Sequence, residues 1–361
     1  MLSLSYILVV IDMFISATLH KTGIIIKALG IFTVCVLIIL YSDGCSNGAL
    51  RGIEMCLKVL VPSLFPFMAV SSFIVKSGLA FQFGKPFAKL TRFIFGLNGS
   101  FAPIILLSLI GGYPVGAKGI SALVDIGAVN KNEAKKALMF CVCAGPGFIV
   151  SFVGASIYQN KTVGMIILIS QIVSVFILGI LLNIFSKDNY SEKELKHKSV
   201  PFSNALVEAT FDSTKGIVGI CAFVILFSAF AGIIESIFNS EIKSYIFCLL
   251  EVCNAVNSLQ QLELVAFAIG FGGLCVHFQI FSAVKNIEFN KCAFFLIRII
   301  QGFLTALLTH FGADIFLKEQ AVFSTSTVES ADFFGGTVIS GMVLIGVSIC
   351  FLYTFKNYKH N

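Results

Sequence analysis

The chain has 361 residues, of which 57% are hydrophobic and only 12% charged, with 38 Phe and a formal net charge of +6. A water-soluble domain clothes itself with roughly 25% charged residues, so a mean hydropathy of +0.95 excludes that class. The modest positive balance follows the positive-inside bias of loops and is no argument for a nucleic-acid partner. Apolar runs that approach or exceed ~20 residues suit spanning helices and not the short alternating segments of an outer-membrane barrel. The expected fold class is therefore all-α, a polytopic helical membrane protein with two related halves and broken or re-entrant segments.

The first apolar stretch, Leu2 to Leu19, contains Asp12 and lacks the positively charged leader of a signal peptide, so cleavage is not expected. A first helix, a re-entrant anchor and a start at Met13 all fit it. Spanning helices are then expected over Gly23–Tyr41, Val59–Val75, Glu133–Tyr158, Thr162–Phe185, Gly216–Phe238, Val265–Val284, Cys292–Phe311 and Gly335–Phe355. Two apolar pieces, Phe101–Ile120 and Ile246–Leu259, are interrupted by Gly/Pro or polar residues and suit hairpins better than plain crossings. Ser186–Val200 carries Lys187, Asp188, Glu192, Lys193, Glu194, Lys196 and Lys198 with no apolar period, which makes it the linker between two membrane halves. Counting Lys and Arg places Lys76–Arg92, Lys131–Lys136, this linker, Lys285–Lys291 and the tail Lys356–Lys359 on one side, read as cytoplasmic. Ala313–Asp332, with Asp314, Glu319, Glu329 and Asp332 against Lys318 alone, then becomes a loop on the opposite side.

The eleven Cys lie mostly within apolar segments and read as small hydrophobes. Cys141 and Cys143 form a tight pair, but no Cys/His cluster accompanies them, and no metal is expected. Setting Gly111-Gly112 against Gly272-Gly273 gives an offset of 272 − 111 = 161, which also pairs Ser121 with Ser282, Lys118 with Gln279 and Asp125 with Asn286. In each copy the polar trio falls at i, i+3 and i+7 on one helical stripe. The expected divisions are N-terminal membrane helices over 1–47, a first repeat over 48–185, the charged linker over 186–200 and a second repeat over 201–361.

Irregular backbone at membrane depth survives only where it is buried in protein or lines a watery cavity, and such breaks point to a transporter's solute site. The candidate site therefore begins at Gly112, Tyr113, Pro114 and Gly116, where N–H groups freed around Gly116 and Gly119 would join the Lys118 ammonium in an anion pocket, with Ser121 and Asp125 below. The bland alternatives for Lys118 are a relay to Asp125 or snorkelling to a helix end. Glu251 with Asn254 and Ser258 forms a second stripe, able to carry a coupling proton or to sit at the interface near Lys243. His277, Gln279 and Ser282 follow the second glycine pair, His277 being a structural hydrogen-bonding residue or a titrating one. Arg298 is read as the neutraliser of an acidic partner and His310 as interfacial. No H-E-x-x-H, G-x-S-x-G or P-loop pattern occurs, so neither enzyme chemistry nor a cofactor is expected. The expected partners are the lipid bilayer and a small-molecule solute, with no nucleic acid; a homo-oligomer is compatible with this reading.

Several motifs together carry a resemblance: Val61-Pro62-Ser63-Leu64-Phe65-Pro66-Phe67, Gly112 to Lys118, Ala144-Gly145-Pro146-Gly147-Phe148, Leu249-Leu250-Glu251-Val252 and Phe271 to Gln279. Over roughly Gly48 to Phe355 the chain resembles sporulation integral membrane proteins of the YlbJ type, whose nucleoside-recognition (Gate) domains are similar to parts of nucleoside transporters. The resemblance implies two Gate-like repeats and a place at forespore membranes beside other sporulation membrane proteins. It also implies a small anionic or heteroaromatic solute such as dipicolinic acid. A nucleoside-type carrier and a non-transporting scaffold in spore assembly are the alternatives. Cys141, Val142 and Cys143 depart from the polar side chain expected just before Ala-Gly-Pro.

Overall fold

The computed structural model describes residues 27–186, 200–238 and 240–323, and the chain divides into two compact units, Met1–Ile315 and Phe316–Asn361. Of the second unit only the end of the last helix is among the described residues, so the architecture is that of the first. The expected segments Leu2–Leu19 and Gly335–Phe355, and the body of the linker, lie outside the described residues.

The elements are helical throughout: α1 (Lys27–Leu40), α2 (Ser42–Met55), α3 (Val61–Lys76), α4 (Leu79–Gly84), α5 (Ala88–Phe95), α6 (Phe101–Gly111), α7 (Tyr113–Asp125), α8 (Lys131–Phe140), α9 (Lys161–Phe185), α10 (Phe202–Ile237), α11 (Ser240–Leu250), α12 (Val252–Ser258), α13 (Leu262–Phe271), α14 (Gly273–Ala283) and α15 (Lys291–Phe323). Among the described residues five helices are long and apolar enough to cross a bilayer: Ser42–Lys76, Lys161–Phe185, Phe202–Ile237, Leu262–Ala283 and Lys291–Leu317. Large apolar side chains such as Ile169, Val218, Leu226, Phe303 and Phe311 stay exposed, as a lipid-facing surface requires. This is an all-α, multi-pass integral membrane protein.

Helix α2 runs into α3 through a π-helical stretch, Cys56–Leu60. Pro62 and Pro66 have no N–H for the carbonyls four residues back, and the looser turn just ahead of Pro62 absorbs the ring's steric demand. The span is thus longer than the expected Val59–Val75, because its first turns are built of small residues and not of apolar bulk. Those small residues set the packing. A Cβ at Gly48 would overlap the Ser228 carbonyl oxygen, and one at Gly52 would lie 2.9 Å from the Ile225 Cα, so α2 lies backbone-to-backbone on α10. Replacing Gly48 with Leu is expected to abolish recovery of monodisperse protein by size-exclusion chromatography in detergent, whereas Ile53→Leu, on an exposed position of the same helix, is expected to change nothing.

Contacts along these helices give their sense. Gly52 faces Ile225, Cys56 Sγ donates to the Cys221 carbonyl, and Lys76 pairs with Glu208 and Asp212, so α2–α3 and α10 are antiparallel over their whole length. Lys76 and Phe202 mark the linker end of the bundle, Ser42 and Ile237 its far end. α10 starts earlier than the expected Gly216, and the Glu208 and Asp212 carboxylates on its first turns are paired with Lys76.

The two pieces expected as hairpins fold back on themselves. A Cβ at Gly119 would meet Ile104 and one at Gly116 would meet Ser108, so α7 returns along α6 with its tip at Gly112. Helix α12 returns along α11, with Ser244 Oγ donating to the Ser258 carbonyl and the tip at Glu251. The first hairpin enters from the linker end and the second from the far end, where Lys243 and Ser258 share a cavity with Glu235.

Each hairpin is followed by a crossing helix that is itself broken. α8 leads through Cys141–Pro146 into a π-helical stretch, Gly147–Ile157, lying antiparallel to α9, with Lys136 Nζ donating to Asn183 Oδ1 and Gly154 against Gly164. The expected span over Glu133–Tyr158 is thus built of two helical pieces joined through Cys141–Pro146. α13 and α14 break at Gly272 and Gly273 but continue in one direction along α15, with successive contacts His310–Glu263, Gly302–Gly270, Phe295–Phe271 and Phe294–His277.

The expected 161-residue register therefore does not describe the fold: it sets a hairpin, α6–α7, against a through-going span, α13–α14. The geometric match pairs α2–α3 with α10, hairpin with hairpin, broken span with broken span, and α9 with α15, each partner running in the opposite sense. Ser174 and Thr305, within hydrogen-bond distance at 3.1 Å, mark where the antiparallel α9 and α15 cross. This arrangement puts Lys76–Arg92, Lys131–Lys136 and Lys285–Lys291 together at the linker end, as the charge count requires. α15 also carries the chain past Ala313, so Asp314 lies on a helix and not in a loop, 3.8 Å from His310.

Candidate functional site

The two hairpin tips meet midway between the ends. Gly112 has φ +94°, which only glycine adopts without strain, and lets the chain reverse between α6 and α7, with Pro114 in the first turn of α7 where no N–H is missed. A Cβ at Gly145 would lie 3.2 Å from the Gly112 nitrogen, and one at Gly273 would lie 3.1 Å from the Glu251 nitrogen. Each tip thus leans on the break of the crossing helix that follows it. Tyr113 ties the halves together, its hydroxyl donating to the Ile269 carbonyl at 2.5 Å.

Between the tips lies a cavity of about 90 Å³. Its wall is mostly apolar, including Leu64, Phe67, Phe148 and Val224, with Ser63, Tyr113, Glu251 and Gln279 as polar exceptions. Glu251 is 2% exposed and caps α12: Oε1 accepts from the Cys253 N–H at 3.0 Å, and Oε2 accepts from the Asn254 N–H at 2.8 Å and from Asn254 Nδ2 at 2.9 Å. It is buried at the tip, not at the interface near Lys243.

Toward the linker end a second cavity, of about 280 Å³, is bordered by Lys118, Lys215, Lys285, Ser282 and the glycine floor Gly216 and Gly219; Gln279 stands in the wall of both cavities. Toward the far end a third, of about 550 Å³, is bordered by Arg51, Glu235, Lys243, Asn254 and Asn257, with Arg51 Nη2 on Glu235 at 2.5 Å. Asn254 faces that cavity while its amide holds Glu251, so the tip of the second hairpin separates it from the inner one.

Of the residues singled out from the sequence, Gly112, Tyr113, Pro114, Glu251 and Gln279 line the inner cavity, Lys118 and Ser282 the second, and Asn254 the third. Gly116, Ser121, Asp125 and His277 border none of them. Gly116 and Gly119 lie inside α7, so their N–H groups are not freed. They are glycines because a Cβ at Gly116 would overlap the Cys141 carbonyl and one at Gly119 would press on Ile104. Asp125 accepts from Asn286 Nδ2 at 2.6 Å, a contact between the ends of α7 and α14. His277 Nδ1 is 2.5 Å from the Gly273 carbonyl, its ring is caged by Phe271, Phe281, Phe294 and Phe295, and its buried Nε2 has no partner.

Lys215 and Lys285 escaped the sequence reading. Lys215 is the last charge before the apolar run that opens at Gly216, a signal easily taken for a helix boundary. Arg298 does not neutralise an acid. It is fully buried and donates to the carbonyls of Val142, Gly270 and Phe271 and to Gln301 Oε1, with its guanidinium 5.9 Å from the Tyr113 ring centroid. Those carbonyls close the helices at both breaks, where the C-terminal dipoles are negative.

A multi-pass membrane protein with opposed re-entrant hairpins, broken crossing helices and a cavity at their meeting point is the class these features define. The chain is similar to the sporulation integral membrane protein YlbJ of Bacillus subtilis (strain 168), 21% identical over 308 residues that cover 71% of this chain and 74% of that protein. The YlbJ-type resemblance carried by the motifs is thereby supported. No family model matches the chain, so the nucleoside-recognition domains have no such match behind them, and no solved structure matches.

Proposed function

We propose that this protein is a transporter acting in sporulation, as the name of its Bacillus subtilis relative suggests, and that it moves a small anionic or heteroaromatic solute such as dipicolinic acid across a forespore membrane. The observation that carries the reading is the pair of hairpin tips entering from opposite ends and enclosing a cavity between two larger, polar ones. Oppositely running halves around a midplane site are the plan by which one half rocks against the other and exposes the site to each side in turn. The halves are taken as 48–185 and 201–361, joined by 186–200. The lysines around the second cavity favour an anion over a neutral nucleoside.

The test is uptake of labelled dipicolinate by proteoliposomes holding the full chain. Flux above empty vesicles, not competed by uridine or adenosine, is the expected result. Competition by nucleosides would make it a nucleoside-type carrier, and no flux from folded protein would make it a scaffold.

A further inference from the structure

The cavity toward the linker end holds more positive charge than its surroundings answer. Lys118 comes from α7, Lys215 from α10 and Lys285 from the turn after α14, so three separate elements place lysines on the wall of one space of about 280 Å³. Among the described residues no carboxylate lies within ion-pair distance of any of the three. The two acids that act on Lys118 are engaged elsewhere: Asp212 with Lys76 at 2.8 Å and Asp125 with Asn286 at 2.6 Å. Three like charges gathered around one cavity repel unless a counter-ion sits between them. Gly216 lets the Met68 methyl and the Lys118 stem lie against α10, a Cβ there falling 2.5 Å from Met68 Cε and 3.0 Å from Lys118 Cε, while Gly219 faces open space. Ser282 adds a neutral hydroxyl, and Gln279 stands between this space and the inner cavity.

We infer that the cavity bordered by Lys118, Lys215 and Lys285 is a binding site of its own for small organic anions carrying two negative charges, placed in series with the inner cavity, with Gln279 as the partition between them. It deepens the transport reading and rests on it only for what the site is for. One carboxylate meets Lys118 and Ser282, and the second meets Lys215 and Lys285, so affinity depends on the number of charges more than on the ring that carries them. Lys215 and Lys285 are exposed, so binding weakens with salt as screened charges do.

Titration calorimetry of the purified full chain in detergent, with isophthalate and benzoate as probes, tests this. Isophthalate should bind at least about tenfold more tightly than benzoate, and raising the salt should narrow the gap. Lys215→Gln with Lys285→Gln should weaken isophthalate by about tenfold or more. Lys85→Gln with Lys89→Gln, the same charge change outside the cavity, should leave it unaltered. Equal affinity for the two probes, an equal loss in both double variants, or binding of a short-chain phosphatidylglycerol with none of isophthalate would each overturn the site. Dipicolinate flux in proteoliposomes separates the two claims. Flux with isophthalate binding indifferent to Lys215 and Lys285 removes the site and leaves the transporter; charge-selective binding without flux of any anion removes the transporter and leaves the site.

Discussion

Lys118→Met is expected to cut anion flux through proteoliposomes by at least about tenfold while the protein still inserts and elutes as a single species. The side chain reaches from α7 across Gly216 into the cavity nearest the linker end, and no carboxylate within 4 Å depends on it, so removing the charge leaves no buried partner unsatisfied. Met keeps the length and the apolar stem. What disappears is one charge-assisted contact with a passing anion, a contribution of about 1.5–3 kcal/mol, which at 1.4 kcal/mol per factor of ten gives a roughly ten- to hundredfold loss. Lys118→Arg, retaining the charge, should keep most of the flux. Unchanged transport by the Met variant would take Lys118 out of the pathway.

The gross architecture was legible because bilayer chemistry writes it in bulk. α9 is a capped run of apolar residues that begins one position past Asn160, whose side chain accepts from the Thr162 N–H, and both hairpins announce themselves as apolar stretches too interrupted to cross. Helix ends were less legible where tertiary partners change the meaning of a charge. Glu208 and Asp212 look like a loop until Lys76 arrives from α3, and the length of the break at Cys141–Pro146 shows only once Arg298 supplies a donor for the buried Val142 carbonyl. The register of the halves was misread for a related reason. Gly111-Gly112 and Gly272-Gly273 share composition, but whether a glycine pair turns the chain back or merely jogs it depends on what packs beyond it. At Gly112 the returning helix finds small positions at Gly116 and Gly119; beyond Gly273 the Phe281 and His277 rings find α15 instead. In the site, hairpin-tip residues were found from the break itself, whereas Lys215 and Lys285 are ordinary boundary lysines until three elements converge.

Arg298→Met should have the largest effect on stability, preventing recovery of folded protein or lowering its thermal midpoint in detergent by several degrees or more. A hydrogen bond from a charged donor contributes about 1.5–3 kcal/mol, and removing the guanidinium leaves several buried acceptors without their partner at once. Here those acceptors are the Val142, Gly270 and Phe271 carbonyls and the Gln301 amide oxygen, drawn from both broken spans and from α15 itself, so the loss loosens the two halves together. Arg298→Lys keeps the charge but cannot point donors along three directions in one plane, and should fall between Met and the native residue. The local consequence can be read on Cys141 and Cys143, which flank Val142 and are 0% and 1% exposed. In the Met variant a maleimide should label both at temperatures where the native protein leaves them untouched, as mapped by mass spectrometry. Protection of these thiols equal to native in a folded Met variant would mean that the breaks are held by helix packing alone, and that the guanidinium is a passenger in the core.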